Sequence, residues 1–308
     1  MEMIQTKCAI CGSTEDYVIV YKSNASSVDL NAEIFSARRM PDAIHYQIVR
    51  CKNDNLVRSN PIHNSPSIKD LYKCSTFTYT DQIDNLACSY LRALDEVLPL
   101  LAKDARMLEV GCGNGFVLKA LRGRGYRNVV GIEPSADAVA RAEASIRDNI
   151  TVDFLKEGIY ESGSFDLIFF FQTLDHIYDP VHFLAVCRDL LAPEGLILAF
   201  NHDVESFSAR LLGEKSPIID IEHPYLYSKE TIRRLLRKCG FTPLKIYSPG
   251  NVISVKHLLR LIPFLPKAVK MRLLNANGGM LARVLNVRLR VRLGNLCVIA
   301  SKSVPTEE

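Results

Sequence analysis

The stretch FDLIFFFQ, residues 165–172, is apolar at almost every position. A strand exposed on one face alternates apolar with polar side chains, so an unbroken run marks a strand buried on both sides, with helices packed above and below. Its neighbours fit that demand. From about 105 to 245, short apolar runs alternate with helix-like segments, the pattern of a parallel sheet covered on both faces. RMLEV (106–110), NVVGIEP (128–134), ITVDFL (150–155), GLILAFNHD (195–203) and FTPLKIYS (241–248) read as further strands. FVLKALRGRGY (116–126), SADAVARAEASI with Ser135 as its cap, PVHFLAVCRDLLAP and KETIRRLLRKCG, stopped by Gly240, read as helices. One more strand, GNLCVIASKS (294–303), returns after a long basic and apolar excursion over 250–293.

At 308 residues the chain has room for a full core and a small appendage, about two domains. A formal charge of +4 is too mild to imply nucleic acid, and no RNA-binding or zinc-finger signature adds to it. The start, MEMIQTKCAI, lacks the apolar stretch of a secretory signal, and no run reaches the length of a membrane span. Nine cysteines, an odd count, then read as reduced thiols, some holding metal, and the expected compartment is the cytosol.

Between the first strand and first helix of the alternating region lies LEVGCGNG, residues 108–115. A turn there brings backbone amides close to a ligand only where side chains are missing, which is what Gly111, Gly113 and Gly115 provide. Dinucleotide sites space their glycines G-x-G-x-x-G; here Phe116 stands where that pattern has its third glycine. Glu109, two residues before the first glycine, would repel a pyrophosphate and attract an ammonium or sulfonium. Glu133, followed by Pro134, closes the second strand 18 residues after Gly115, where a carboxylate can accept hydrogen bonds from both hydroxyls of a ribose. The pattern favours a cationic nucleoside over NAD.

LEVGCGNG, GIEPS, FDLIFFFQTLDHIYDP and LLAPEGLILAF together resemble the class I S-adenosylmethionine-dependent methyltransferases, over roughly 105 to 302. The resemblance implies an α/β, Rossmann-like, doubly wound sheet of seven strands whose last strand inserts antiparallel, which accounts for the late GNLCVIASKS. It also implies that the loop Gln172 to His176 lies beside the methionine end of the cofactor, and that residues near Leu155 to Gly158 flank the adenine.

The first 75 residues are short, turn-rich and cysteine-bearing. Cys8 and Cys11 form C-x-x-C followed by Gly12, a turn that points two thiolates at one ion. Cys51 and Asp54 repeat the spacing, followed by Asn55, which tolerates a left-handed backbone. These four are the expected zinc ligands, with Cys74, His45 and His63 as competitors; unligated core cysteines are the alternative. The arrangement resembles the small zinc-binding domain that precedes the methyltransferase domain in sugar C-methyltransferases, and the metal is expected to be structural.

NHDVESFSARLLGEKSPIIDIEHPYLYS (201–228) is too rich in His, Tyr and acids to be a plain connector. Its Glu-His pair before an aromatic run is similar to the segment supplying the base in sugar C-methyltransferases. On that resemblance His223 is the candidate base and Glu222 its orienting partner; packing against the core is the competing explanation. His202 and Asp203, at the C-terminal end of a parallel strand, are second candidates on position alone, while His176 and His182 are expected to shape a loop or cap a helix. Tyr72, Phe77 and Tyr79, in the segment joining the two halves, are candidates for a lid over cofactor or acceptor, with helix core as the alternative. The basic, apolar 250–293 excursion suits peripheral contact with anionic lipid, but more often such a surface is a solvated helix face or a dimer contact.

The expected organisation is a small zinc-binding domain (1–75), a helical bridge or lid (76–104), and a methyltransferase domain (105–308) with a basic insertion. The expected activity is methyl transfer to a small-molecule acceptor, at carbon or oxygen, of a sugar or other metabolite. The alternatives are a cofactor-binding subunit without catalysis and an NAD-dependent oxidoreductase.

Overall fold

The computed structural model describes residues 3–25, 42–75, 82–261, 269 and 279–302. Fifteen strands occur among them. β1 (Met3–Ile4) pairs with β5 (Ile62–His63), and β2 (Tyr17–Tyr21), β3 (Ile48–Cys51) and β4 (Val57–Ser59) form an antiparallel sheet near the N-terminus. Helices α1 (Ser65–Lys73) and α2 (Ile83–Leu94) lead into the large sheet. Its strands are β6 (Met107–Val110), β7 (Val129–Ile132), β8 (Ile150–Thr151), β9 (Phe165–Phe171), β10 (Leu191–His202), β12 (Phe241–Tyr247) and β15 (Asn295–Lys302). Their order is β12-β15-β10-β9-β6-β7-β8. β15 runs antiparallel to both of its neighbours, as the resemblance implied.

β9 sits at the centre because its side chains serve both faces. Ile168 and Phe170 belong to the core layer on one side, with Phe183 of α6 (Pro180–Leu190) and Leu235 of α8 (Lys229–Lys238). Leu167, Phe169 and Phe171 belong to the other, with Val117 and Leu121 of α3 (Phe116–Gly123) and Tyr90 of α2, whose ring lies 4.0 Å from that of Phe171. Each buried phenylalanine contributes roughly 1.5–3 kcal/mol, so this one strand anchors both layers.

Three expectations are altered. ITVDFL forms a strand only over β8, because it is the edge of the sheet with one neighbour to hold it. SADAVARAEASI starts as expected, with Ser135 Oγ accepting from the Ala138 amide. It then divides into α4 (Ala136–Ala140) and α5 (Ala144–Arg147), which brings Ile146 beneath Gly115. The 250–293 excursion is not wholly helical. β13 (Asn251–Ser254) and β14 (Arg288–Val291) pair antiparallel at its base, with α9 (Val255–Leu261) and α10 (Gly279–Leu285) between; residues 262–268 and 270–278 lie outside the described residues. Among the described residues, no helix is long and apolar enough to cross a membrane.

The N-terminal sheet takes its fourth strand from far along the chain: β11 (Tyr225–Leu226) pairs with β4. The adjoining loop is fastened as well, since Tyr225 Oη donates to the Lys7 carbonyl at 2.7 Å and Lys238 Nζ to that of Ala9 at 2.8 Å. Cys8, Cys51 and Leu56 share a core with Leu235 and Leu236 of α8.

Candidate active site

A cleft of about 1320 Å³ opens at the C-terminal ends of the parallel strands, large enough for a nucleoside cofactor and a second molecule. Glu109, the next-to-last residue of β6, is buried, and its Oε2 has no hydrogen-bond partner among the described residues. Burial, then the neighbouring Glu133, push its carboxyl well above the usual carboxylate range. Glu133, after β7, is raised by burial, although its Oε2 accepts the Gly113 amide and its Oε1 the Ser135 amide, both at 2.9 Å. A buried carboxylate with an unfilled oxygen and a half-buried one, both facing one cleft, fit a positively charged guest and not a diphosphate.

Glu109, Gly111, Gly113, Glu133, Pro134, Gln172 and His176 all line the cleft. Gly115 does not. Its φ is +71°, and a Cβ there would come within 2.7 Å of Ile146 Cδ1 and 2.9 Å of Ile150 Cδ1. This glycine therefore lets the start of α3 settle on α5 and β8, so its expected place against the cofactor is corrected to a packing role. Gly115→Ala is expected to cost about 1–3 kcal/mol in denaturant unfolding while leaving cofactor affinity nearly unchanged. Gly111, at φ +74°, would place a Cβ 2.7 Å from Thr173 Oγ1, so it admits the loop after β9. On the expected adenine side the lining residues are Asp153, Phe154 and Leu155, slightly earlier than the 155–158 stretch implied by resemblance.

At the opposite end, imidazoles gather. His223 is buried, and its Nδ1 lies 2.8 Å from the Ile218 carbonyl. A carbonyl only accepts, so the proton sits on Nδ1 and Nε2 carries the lone pair. The group orienting His223 is thus a backbone carbonyl, a correction to the role expected of Glu222. The Glu222 carboxylate acts instead on Tyr72 and Tyr178, whose hydroxyls burial foremost, and then that charge among others, hold well above the ordinary value. Burial pushes His223 below the ordinary histidine value. Its ring lies 4.7 Å from that of His176, which Tyr72 Oη bonds at 3.0 Å, and 4.9 Å from that of His202. His182 lines the cleft at the start of α6, where its amide donates to Oδ1 of the capping residue Asp179 at 3.0 Å. Asp203 is buried beside the cleft, where its Oδ1 accepts the Glu205 amide. Tyr79 and Phe77 lie outside the described residues.

One residue escaped the sequence reading. Asp175, in the turn after β9, is 1% exposed and accepts His202 Nδ1 at 2.6 Å. Despite its burial, the charge and hydrogen bond of His202 hold its carboxyl far below the usual range. The Asp-His-x-Tyr-Asp string in the loop was the available signal, but only the fold brings residue 202 across to residue 175.

At the other edge of the cleft the two knuckles superpose in kind. Gly12 (φ +82°) and Asn55 (φ +65°) both take the left-handed conformation, and each returns its amide to the first ligand's carbonyl: Gly12 to Cys8 at 2.8 Å, Asn55 to Cys51 at 3.1 Å. The donor atoms of Cys8, Cys11, Cys51 and Asp54 all lie within 4.8 Å of one another. Cys11 and Cys51 sulfurs are 3.5 Å apart, and Cys8 Sγ is 3.1 Å from Asp54 Oδ2. Thiolates about 2.3 Å from a tetrahedral zinc would be roughly 3.8 Å apart, so the set fits the ion with small adjustment. Burial pushes the Cys8 and Cys51 thiols up, and a bound cation would act in the opposite direction. His45 and His63 are engaged elsewhere, by Glu214 and Tyr46, and Cys74 stands apart from the cluster.

The sheet with its reversed last strand and the acid-flanked glycine turn define a class I S-adenosylmethionine-dependent methyltransferase. A family model described as a methyltransferase domain matches residues 82–246, and the chain belongs to that family. It is similar to the ubiquinone biosynthesis O-methyltransferase of Cereibacter sphaeroides, 27% identical over 198 residues, covering 60% of this chain and 77% of that protein. The enzyme of the same name from Dinoroseobacter shibae is 29% identical over 136 residues, 42% of this chain and 53% of the relative. In three dimensions the chain resembles a chain from the complex of the Haloferax volcanii Trm112 methyltransferase activator with a methyltransferase. That match has a TM-score of 0.51 at 17% identity, covers 73% of this chain and 93% of the other, and speaks to the fold alone.

Proposed function

We propose that the protein methylates a small-molecule acceptor at oxygen, with Glu109 and Glu133 holding S-adenosylmethionine and His223 taking the acceptor's proton. When bound, the cofactor supplies a methyl group on a positively charged sulfur. The observation that carries the reading is one cleft with an unpartnered buried carboxylate at the nucleoside end and a histidine lone pair at the other. Oxygen is favoured over carbon because the relatives from Cereibacter and Dinoroseobacter are named as O-methyltransferases.

In this reading the Gly111–Gly113 backbone approaches the cofactor, Glu133 receives the ribose hydroxyls, and Gln172 and His176 lie beside its amino-acid end. Glu109 offers its charge to the cation. Tyr72, bonded to His176 in the cleft wall, borders the acceptor, while His223 accepts the proton at Nε2. Rate enhancement comes mainly from alignment and the exclusion of water. Cys8, Cys11, Cys51 and Asp54 hold a structural zinc in a small module over 1–75, joined by a bridge (76–104) to the catalytic domain (105–308). Nine unpaired cysteines suit a reducing cytosol.

Two binding experiments test it. Glu133→Gln is expected to weaken S-adenosylmethionine binding by about 10- to 100-fold in calorimetry, the worth of a charged hydrogen bond. Glu109 gives the sharper signature. Its carboxyl holds a proton to higher pH than usual in the cofactor-free protein, and a cation favours the ionised form. Binding in mildly acidic buffer should therefore release a proton, and affinity should fall as pH drops through the raised value. 5′-Methylthioadenosine, which carries neither an ammonium nor a sulfonium charge, should release none. Equal proton release for both, or its persistence in Glu109→Gln, would refute the assignment.

A further inference from the structure

Asp175 brings one negative charge into a nest of three imidazoles, and its burial means that charge must be matched locally. Two histidines are placed to match it. His202, at the end of β10, bonds Asp175 directly at 2.6 Å and is partly open to the cleft; His223 is buried, with its ring 4.9 Å from that of His202. We propose that Asp175 and His202 form a positioning pair whose task is to leave His223 uncharged, so that its lone pair remains available to the acceptor. The inference rests on the reading of His223 as the base and names the device that keeps it competent.

The groups facing His223 come from every element around it: Asp175 and His176 from the turn after β9, His202 from β10, and Asp220 and Glu222 from its own segment. Tyr72 of α1 reaches the nest through His176. Burial opposes a charge on His223; the carboxylates of Asp175 and Asp220 favour one, and His202 opposes it. Asp175 is further steadied by Asn201 Nδ2 and the His202 amide, each at 3.4 Å, so it does not turn toward His223. Remove His202 and the groups left to neutralise Asp175 are the imidazoles of His176 and His223, and any charge that His223 takes up costs it the lone pair catalysis needs. His202, bonded to Asp175 at 2.6 Å, is the partner that holds this carboxylate away from His223. In the transfer step the acceptor's O–H bond breaks, its proton goes to Nε2 of His223, and the oxygen's electron pair bonds the methyl carbon as the carbon–sulfur pair returns to sulfur.

The test is a histidine-labelled NMR titration of the full-length, zinc-loaded, cofactor-free protein; the seven histidines are few enough to assign by single substitutions. In the wild type the His223 signals should stay those of the neutral, Nδ1-protonated ring through neutrality. In His202→Gln, which can still bond Asp175 but carries no charge, His223 should protonate at higher pH. Each unit of that movement predicts a loss on the order of tenfold in methyl transfer on the acid side, recovered in alkaline buffer. The double variant Asp175→Asn/His202→Gln should return His223 to the neutral form, and His202→Lys, which restores a cation, should do the same. A His223 titration unmoved by His202→Gln, or a double variant indistinguishable from the single one, overturns the proposal. The base reading is decided separately, by whether His223→Asn abolishes turnover, and cofactor binding by calorimetry is independent of both.

Discussion

Replacing His223 with Asn is expected to lower kcat for methyl transfer by about 10²- to 10⁴-fold, the usual worth of a general base. Affinity for S-adenosylmethionine, measured by calorimetry, should stay within a factor of about three. The separation follows from placement: His223 lines the cleft among the other imidazoles with Nδ1 taken by the Ile218 carbonyl, whereas the carboxylates proposed to hold the cofactor belong to the ends of β6 and β7. The pH profile adds a check. Burial pushes His223 below the ordinary histidine value, so the lone-pair form persists to lower pH than in free imidazole. Activity should be at its plateau by neutrality and fall only as pH drops through that lowered value. A profile still rising above neutral pH, or a kcat for His223→Asn within tenfold of the wild type, would remove His223 as the base.

Cys51→Ala should have the largest effect on stability, more than about 4 kcal/mol, because it takes away a metal ligand and opens a buried site together. Metal analysis should show one zinc per chain in the wild type and none in the variant, and chelation of the wild type should reproduce the loss. The damage should reach the cleft. Cys8 and Cys51 share a core with α8, and Thr6, Lys7 and Ala9 of the same segment form part of the cleft wall. Loosening that wall should raise the acceptor's KM more than it weakens cofactor binding, since the glycine turn rests on α3, α5 and β6 instead. A Cys51→Ala protein as stable as the wild type would show that the four groups are ordinary buried thiols and a carboxylate.

Some of this was legible because the physics is local. An unbroken apolar run can only be an inner strand, a bare glycine turn between strand and helix can only serve close approach, and the C-x-x-C and C-x-x-D spacings each specify one tight turn. Those features specify β9, the Glu109–Gly113 elbow and both knuckles from neighbours within a few residues. Reading the turn by its glycines alone nevertheless misjudged Gly115, since spacing cannot tell a backbone bared for a ligand from one bared for Ile146.

Contacts between distant segments were left to the tertiary structure. Residues 225–226 complete a sheet begun at residue 17, Asp175 meets His202 across two strand ends, and His223 is oriented by Ile218 rather than by the acid beside it in sequence. A chain's local pattern dictates which conformation each segment prefers, because that choice depends on neighbours within a few residues. Which groups end up sharing one dry pocket depends on how the layers pack, and here packing alone brought His202 to Asp175.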